Sequence, residues 1–301
     1  MMYKALTLSL VIAAVIQPLT AKEAGQVAQS ALLIKVTELK EKVSTQLHAS
    51  IATCFTPLVA VSREQNHRDH MEDRHIIDST RSLFGVFDGH GGHEAVDHVE
   101  QQFGAHFDAN KGNLLATVEA INLELHAKSI LNDGTTAVVA CLEGAHVKVA
   151  NTGDSRAILI RNKVAVQSTV DHKPGSEEEG ARIRKAGGFV FHYGVPRVGG
   201  IAISRTLGDW GIKMSPEGLG LIATPDIYEW DVQAGDLLVL ASDGIWDVLS
   251  NEEVAQEVSL ALGQQVINVT TLKRATDQLL ARAKAKQSGD NLTAMAIHLS
   301  A

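Results

Sequence analysis

Two mainly antiparallel β-sheets stacked face to face with helices outside, an α+β chain in four layers α-β-β-α, is the fold the sequence predicts. Three observations lead there. Short apolar runs dominate from Pro57 onward, and most are joined by connections carrying Gly or Asn, as hairpins require. Two pairs of segments with apolar residues at three- and four-residue spacing read as helices. No repeat or low-complexity linker divides the chain, so one domain over 55–301 accounts for the pattern.

The elements follow in order. Residues 1–21 hold one lysine, Lys4, and an uncharged apolar stretch from Ala5 to Ile16 closed by Gln17-Pro18. Twelve apolar residues suit a signal-peptide core better than a membrane span, which needs about 20. Export to a secreted, luminal or periplasmic compartment is therefore expected. The alternatives are an uncleaved membrane anchor or a cytoplasmic chain whose leader packs on the domain. Residues 22–54 form an extension in which Val27, Ala31, Ile34, Leu39, Val43 and Leu47 recur at near-helical spacing, with lysines and glutamates between.

A strand over Pro57–Ser62 leads into a polar loop, and Arg74–Ser79 with Ser82–Phe87 make a hairpin. Glu94–Phe107 and Asn113–Ser129 read as helices. Thr135–Leu142, Ala145–Ala150, Arg156–Arg161 and Lys163–Thr169 read as a meander of four strands. Ser176 with Glu179 is a capping box opening a short helix to Ala186, and Ser250 with Glu253 is another, before a helix to about Leu262. Gly187–Gly220 is glycine-rich with few periodic signals, which predicts a mobile loop or small flap. Ala223–Val232 and Asp236–Ala241 return to strand, Thr271–Lys286 is a helix and Leu292–Leu299 closes as a strand.

The 301 residues are 45% hydrophobic, enough for a sizeable core. A formal charge of −8 excludes a nucleic-acid footprint, which needs a basic face. The longest basic cluster, Arg182-Ile-Arg184-Lys185, follows three glutamates. Two cysteines, Cys54 and Cys141, form no Cys-x-x-Cys, and the pairs His67/His70 and His90/His93 lack matching cysteines, so structural zinc is not expected.

Chemistry concentrates in acids at strand ends. In Ser82-Leu-Phe-Gly-Val-Phe-Asp88-Gly-His-Gly-Gly92 an apolar run ends in an acid. Asp-Gly is by itself a common turn dipeptide. The grammar recurs, however, in Asp236-Leu-Leu-Val-Leu-Ala-Ser-Asp243-Gly244, and Gly289-Asp290-Asn291 precedes a third apolar run. Upstream stands Arg68-Asp-His-Met-Glu72-Asp73. Carboxylates brought together stay ionised at neutral pH only when cations neutralise them. Glu72, Asp88, Asp243, Asp290 and the carbonyl of Gly89 are an all-oxygen set, which suits Mg²⁺ or Mn²⁺. Two such ions about 3.5 to 4 Å apart share a water and ready it to attack phosphorus. Arg68 is a candidate clamp for phosphate, and His90 a candidate proton donor to a leaving alkoxide. A nucleotide-cradling loop is disfavoured, because neither Gly-x-Gly-x-x-Gly nor Gly-Lys-Ser/Thr is present.

These residues carry a resemblance. Arg68-x-x-Met-Glu72-Asp73, Phe87-Asp88-Gly-His90-Gly-Gly, Gly134-Thr-Thr-Ala, Asn151-Thr-Gly-Asp154-Ser-Arg156-Ala, Asp171-His-Lys-Pro174, Ile203-Ser-Arg205-Thr-Leu-Gly-Asp209, Ser242-Asp243-Gly-Ile-Trp-Asp247 and Asp290-Asn291 resemble, in order, the motifs of the metal-dependent Ser/Thr protein phosphatases of type 2C, the PPM-type family. The match runs from about Leu58 to Leu299. It implies a helix-flanked β-sandwich with two Mg²⁺ or Mn²⁺ ions at one end, hydrolysing phosphoserine and phosphothreonine without a covalent enzyme intermediate. Asp88 would bridge both ions, Gly89 would give its carbonyl to one, and Asp243 and Asp290 would hold the other. Glu72 would support the Gly89-bound ion and Asp73 would stand behind it. Arg68 would bind substrate phosphate and His90 would protonate the leaving group. Asp171, with Asp243 and Asp247, resembles a weaker third metal site. Residues 175–223 would be a flap shaping access. The implied partner is a phosphorylated protein met by a monomer, with a membrane involved only where the leader stays uncleaved. Of two sequons, Asn268-Val-Thr270 and Asn291-Leu-Thr293, the second abuts Asp290, and a glycan there would crowd the site.

Overall fold

A computed structural model describes residues 55–300; the leader expected over 1–21, the extension expected over 22–54 and Cys54 lie outside the described residues. Strands β1 (Thr56–Glu64), β2 (Asp73–Asp78) and β3 (Leu83–His90) open the domain, followed by helices α1 (Glu94–Ala109) and α2 (Leu114–Ala127). Next come β4 (Gly134–Thr135), β5 (Ala137–Glu143), β6 (His146–Thr152), β7 (Arg156–Arg161) and β8 (Val164–Ser168). A middle segment holds α3 (Glu177–Lys185), β9 (Phe191–Tyr193), β10 (Val195–Arg197), β11 (Leu207–Gly208) and α4 (Trp210–Lys213). The chain closes with β12 (Asp226–Asp231), β13 (Leu237–Ala241), α5 (Asp243–Trp246), α6 (Asn251–Leu262), α7 (Val269–Ala285) and β14 (Leu292–Ser300).

One sheet runs β1-β14-β13-β7-β8; the other runs β11-β4-β3-β5-β6-β12, with β2 also paired to β3. The ladders within both are antiparallel. Alternation along β3 shows why four layers form. Phe84 and Val86 pack between the sheets with Val138, Leu159, Leu238, Leu240, Met295 and Ile297. Leu83 and Phe87 point the other way, onto Val96, Val99 and Phe103 of α1 and Ile121 and Leu125 of α2. On the far side Ile158, Ile160 and Val239 meet Val254, Val258, Leu272 and Leu279 of α6 and α7. The expected α-β-β-α sandwich is therefore the fold observed.

The expected four-strand meander is divided: β5 pairs with β6 in one sheet, β7 with β8 in the other, and Gly153-Asp154-Ser155 carries the chain across. Val147 and Val149 of β6 and Ala157 and Leu159 of β7 all face the layer between the sheets, so apolar alternation is the same whichever sheet a strand joins. The Ser250–Glu253 box is complete, and Asn268 with Thr271 caps α7 in the same way. At α3 only half the box forms. Ser176 accepts from the Glu179 N–H, while the Glu179 carboxylate turns inward to Arg182, Arg205 and Ser204. The 187–220 stretch, expected as a loop or small flap, contains the β9–β10 hairpin and α4, packed over a small core of Ile183, Val198 and Leu221. Strands of three residues are too short to show a period. Among the described residues no helix is long and apolar enough to cross a membrane.

Phe84 is fully buried between the sheets, four residues before Asp88. Phe84→Ala is expected to destabilise the domain by about 3 to 5 kcal/mol, read as a lower urea midpoint at unchanged m-value.

Candidate active site

At one end of the sandwich a cleft of about 580 Å³ is lined by Arg68, Glu72, Asp88, Gly89, His90, Asp243, Asp247 and Asp290. Eight of the positions singled out in the sequence thus share one cavity. Strand register puts them there. Asp88 stands near the end of β3 opposite Asp73 of β2, and Ala241 pairs with Ala294, which seats Asp243 beside the segment Asp290–Leu292. The Asp243 N–H donates to Asp88 Oδ2 at 3.4 Å. The chain does not turn after Asp88. Strand β3 continues through Gly89 and His90, which pair with Thr135 and Gly134.

The remaining predicted residues take different places. Asp73 is fully buried behind the cleft; its Oδ2 accepts from Ser242 Oγ at 2.9 Å, and its Oδ1 has no partner. Asp171 is not brought into the cleft. Both its oxygens are gripped by Arg156, at 2.8 and 2.7 Å. Asp154, quoted in a motif but not singled out, lines the cleft instead and is paired with Lys173. The signal was present, since Asp154 also follows an apolar strand, with glycine before it rather than after. Asp209, also unremarked, is 1% exposed and holds His90 Nε2 at 2.7 Å. Asn291 is 4% exposed with its amide engaged by backbone, so the second sequon is closed to a glycan.

Electrostatics set the cleft apart. Burial, then the charges of Asp243, Asp73, Asp154 and Asp290, push the Asp88 carboxyl well above the usual carboxylate range. Asp243 is raised likewise by burial, then by Asp154, Asp247 and Asp290, with Lys173 opposing. Burial alone would depress His90, but its bond to Asp209 and the charges of Asp209, Asp154 and Glu72 outweigh burial and raise it. Arg68 Nη2 contacts Asp290 Oδ2 at 2.5 Å while its side chain remains 54% exposed.

With this geometry in view, comparison with known proteins is decisive. The family model for protein phosphatase 2C matches residues 58–292, well over half of the chain. The chain belongs to the protein phosphatase 2C family. A probable protein phosphatase 2C of Oryza sativa subsp. japonica, number 59, is 36% identical over 248 residues, covering 76% of this chain and 72% of its own. Probable protein phosphatase 2C 3 of Paramecium tetraurelia is 34% identical over 296 residues, covering 86% of this chain and 96% of its own. Among solved structures, a phosphatase of Toxoplasma gondii aligns over 82% of this chain and 93% of its own with a TM-score of 0.70 at 23% identity. A C. elegans sex determining protein aligns over 93% and 76% with a TM-score of 0.69 at 22% identity. Those two likenesses speak for the fold. As a protein phosphatase 2C, the chain is a metal-dependent serine/threonine phosphatase, a hydrolase.

The residues present suit the divalent ions of this family. The acidic side chains facing the cleft offer oxygen donors, their mutual repulsion leaves negative charge uncompensated at Asp88, and a buried Asp73 oxygen stands unpaired. Among the described residues no three Asp, Glu, His or Cys side chains are already gathered at ligating distance. Glu72 Oε1 accepts from the Gly92 N–H at 3.0 Å and Asp290 is engaged by Arg68.

Burial, opposed by the hydrogen bond from Ser242, pushes the Asp73 carboxyl up from 3.8 to about 6. Between those values the folded chain keeps a proton that the unfolded chain has released, so this group makes stability fall as pH rises through that window. In excess chelator Asp73→Asn is expected to raise stability at pH 7.5 by up to about 3 kcal/mol, with the gain gone at pH 3.5. Thermal melts of both proteins at the two pH values measure it.

Proposed function

We propose that the chain hydrolyses phosphoserine and phosphothreonine in phosphorylated proteins by direct attack of water on phosphorus, with no covalent enzyme intermediate. The observation that carries the reading is the single cleft shared by Asp88, Asp243, Asp290, Glu72, Arg68 and His90. Asp88 would serve two Mg²⁺ or Mn²⁺ ions, the Gly89 carbonyl and Glu72 one of them, and Asp243 and Asp290 the other. When bound, such ions supply charge neutralisation and a water of lowered pKa held for in-line attack. For a weaker third site Asp154 is the better candidate than Asp171, since it shares the cleft with Asp243 and Asp247.

The chain's own residues supply the rest. Arg68 keeps one amino group on Asp290; its Nε and second amino group have no protein partner among the described residues and are available to phosphate oxygens. His90 has Nε2 engaged by buried Asp209, which leaves Nδ1 to pass a proton to the departing serine or threonine oxygen. Raising the imidazole keeps it protonated to higher pH, as a general acid requires.

Phosphate release from a phosphothreonine peptide is expected to depend on Mn²⁺ or Mg²⁺ and to vanish in excess chelator. Asp88→Asn should lose about 10³-fold or more in kcat with the fold intact by circular dichroism. His90→Ala should lose about 10²- to 10⁴-fold in kcat on the peptide, and much less on an aryl phosphate whose leaving group needs no proton. Because Asp209 raises His90, Asp209→Asn should move the alkaline decline of kcat to lower pH. Full activity in chelator would falsify the reading.

A further inference from the structure

The loop from Gln65 to Glu72 carries two of the site residues yet is built of turns and bends, with no strand or helix to hold it. Side-chain amides hold it instead. Asn291 spends three of the four hydrogen bonds its side chain can make on this loop: Oδ1 accepts from the Glu72 N–H at 2.8 Å, and Nδ2 donates to the carbonyls of Gln65 and His70, both at 2.9 Å. Asn66 reciprocates from the loop, donating Nδ2 to the carbonyls of Ser288 at 2.6 Å and Asp290 at 3.0 Å. Asn66 does so from left-handed backbone, φ 54°. Gln65 Nε2 ties the loop internally, to the carbonyls of Arg68 at 2.8 Å and Asp69 at 2.9 Å.

We propose that Asn66 and Asn291 form a reciprocal amide clasp that positions Arg68 for the substrate phosphate. Arg68 itself is half exposed and, among the described residues, its guanidinium has one side-chain contact, to Asp290, so where it stands depends on the loop that carries it. A planar fork recognises phosphate only when it is correctly placed, and misplacement by about 1 Å is enough to lose most of the advantage. Asn291 follows Asp290 directly, so the clasp and the carboxylate that touches Arg68 belong to one dipeptide. Asn66 and Asn291 are positioning residues in this scheme, which rests on the phosphatase reading above.

The test is a double-mutant cycle on the full chain with Mn²⁺ and a phosphothreonine peptide. Asn66→Gly deletes the donor while preserving the left-handed backbone; Asn291→Ala deletes the opposite half. Each is expected to raise both KM and the inhibition constant of inorganic phosphate by roughly 10- to 100-fold, with a smaller fall in kcat. In an Arg68→Ala background the same changes should add almost nothing, because their effect runs through that side chain. Faster hydrogen exchange at the Glu72 amide of Asn291→Ala provides a readout apart from turnover. Losses that add fully in the Arg68→Ala background, or parental KM and phosphate inhibition in Asn66→Gly, overturn the clasp while leaving the phosphatase reading standing. No turnover by the parent chain with either metal overturns that reading and the clasp with it.

Discussion

Repulsion among carboxylates held at one end of a rigid sandwich is the constraint around which the structure is arranged. Burial and mutual charge drive Asp88 and Asp243 away from their ionised forms, so an unrestrained chain would let them separate. They stay because Asp88 lies within, and Asp243 follows, a strand that cannot shift. Phe84 and Val86 lock β3, and Leu238 and Leu240 lock β13, into the layer between the sheets. A slip of one residue in either strand would turn that apolar row outward, so the register that fills the core also aims the acids.

The cations around the cleft are distributed unevenly, and the distribution is informative. Arg68 takes Asp290, Lys173 takes Asp154 and Arg156 takes Asp171, while Asp88 and Asp243 at the centre meet no side-chain cation among the described residues. Acids at the margin are satisfied by protein, and those in the middle are left to whatever charge enters from solvent. That pattern fits a site built for small divalent cations better than a structural ion-pair network, in which the innermost carboxylates would be the first to need a guanidinium.

The sequence showed the layers and the centre of the site because both depend on local signals. Strand β3 and the strand ahead of Asp243 are apolar runs with an acid at the end, and the helices announce themselves by spacing. What stayed hidden depends on partners far along the chain. Whether β7 joins the sheet of β6 turns on a crossing at Gly153 that leaves the apolar alternation unchanged. Glu179 reads as half of a capping box, but Arg205 and Ser204, some 25 residues on, draw its carboxylate into a buried cluster. Asp171 reads as an acid near the site, but the guanidinium of Arg156 takes both its oxygens. In each case one long-range ion pair or packing choice overrode a sound local pattern.

The Asp-Gly pairs at Asp88-Gly89 and Asp243-Gly244 call for a different explanation from the one their turn statistics suggest. Neither Gly89 nor Gly244 has a left-handed backbone; the first lies in β3 and the second in α5. Their value is the missing side chain. A Cβ on Gly89 would stand 2.7 Å from the Glu72 carbonyl and 2.9 Å from Val96 Cγ1, and one on Gly244 would run into the Asn291 carbonyl. The first glycine therefore lets the Arg68 loop close on Asp88, and the second lets the Asp290-Asn291 segment close on Asp243. Since Asn291 in turn holds the Arg68 loop, the two glycines allow acids, clamp and clasp to meet at one point. Acid followed by glycine is thus a pattern of convergence here: the carboxylate supplies charge, and the next residue gives way so that a second segment can approach it.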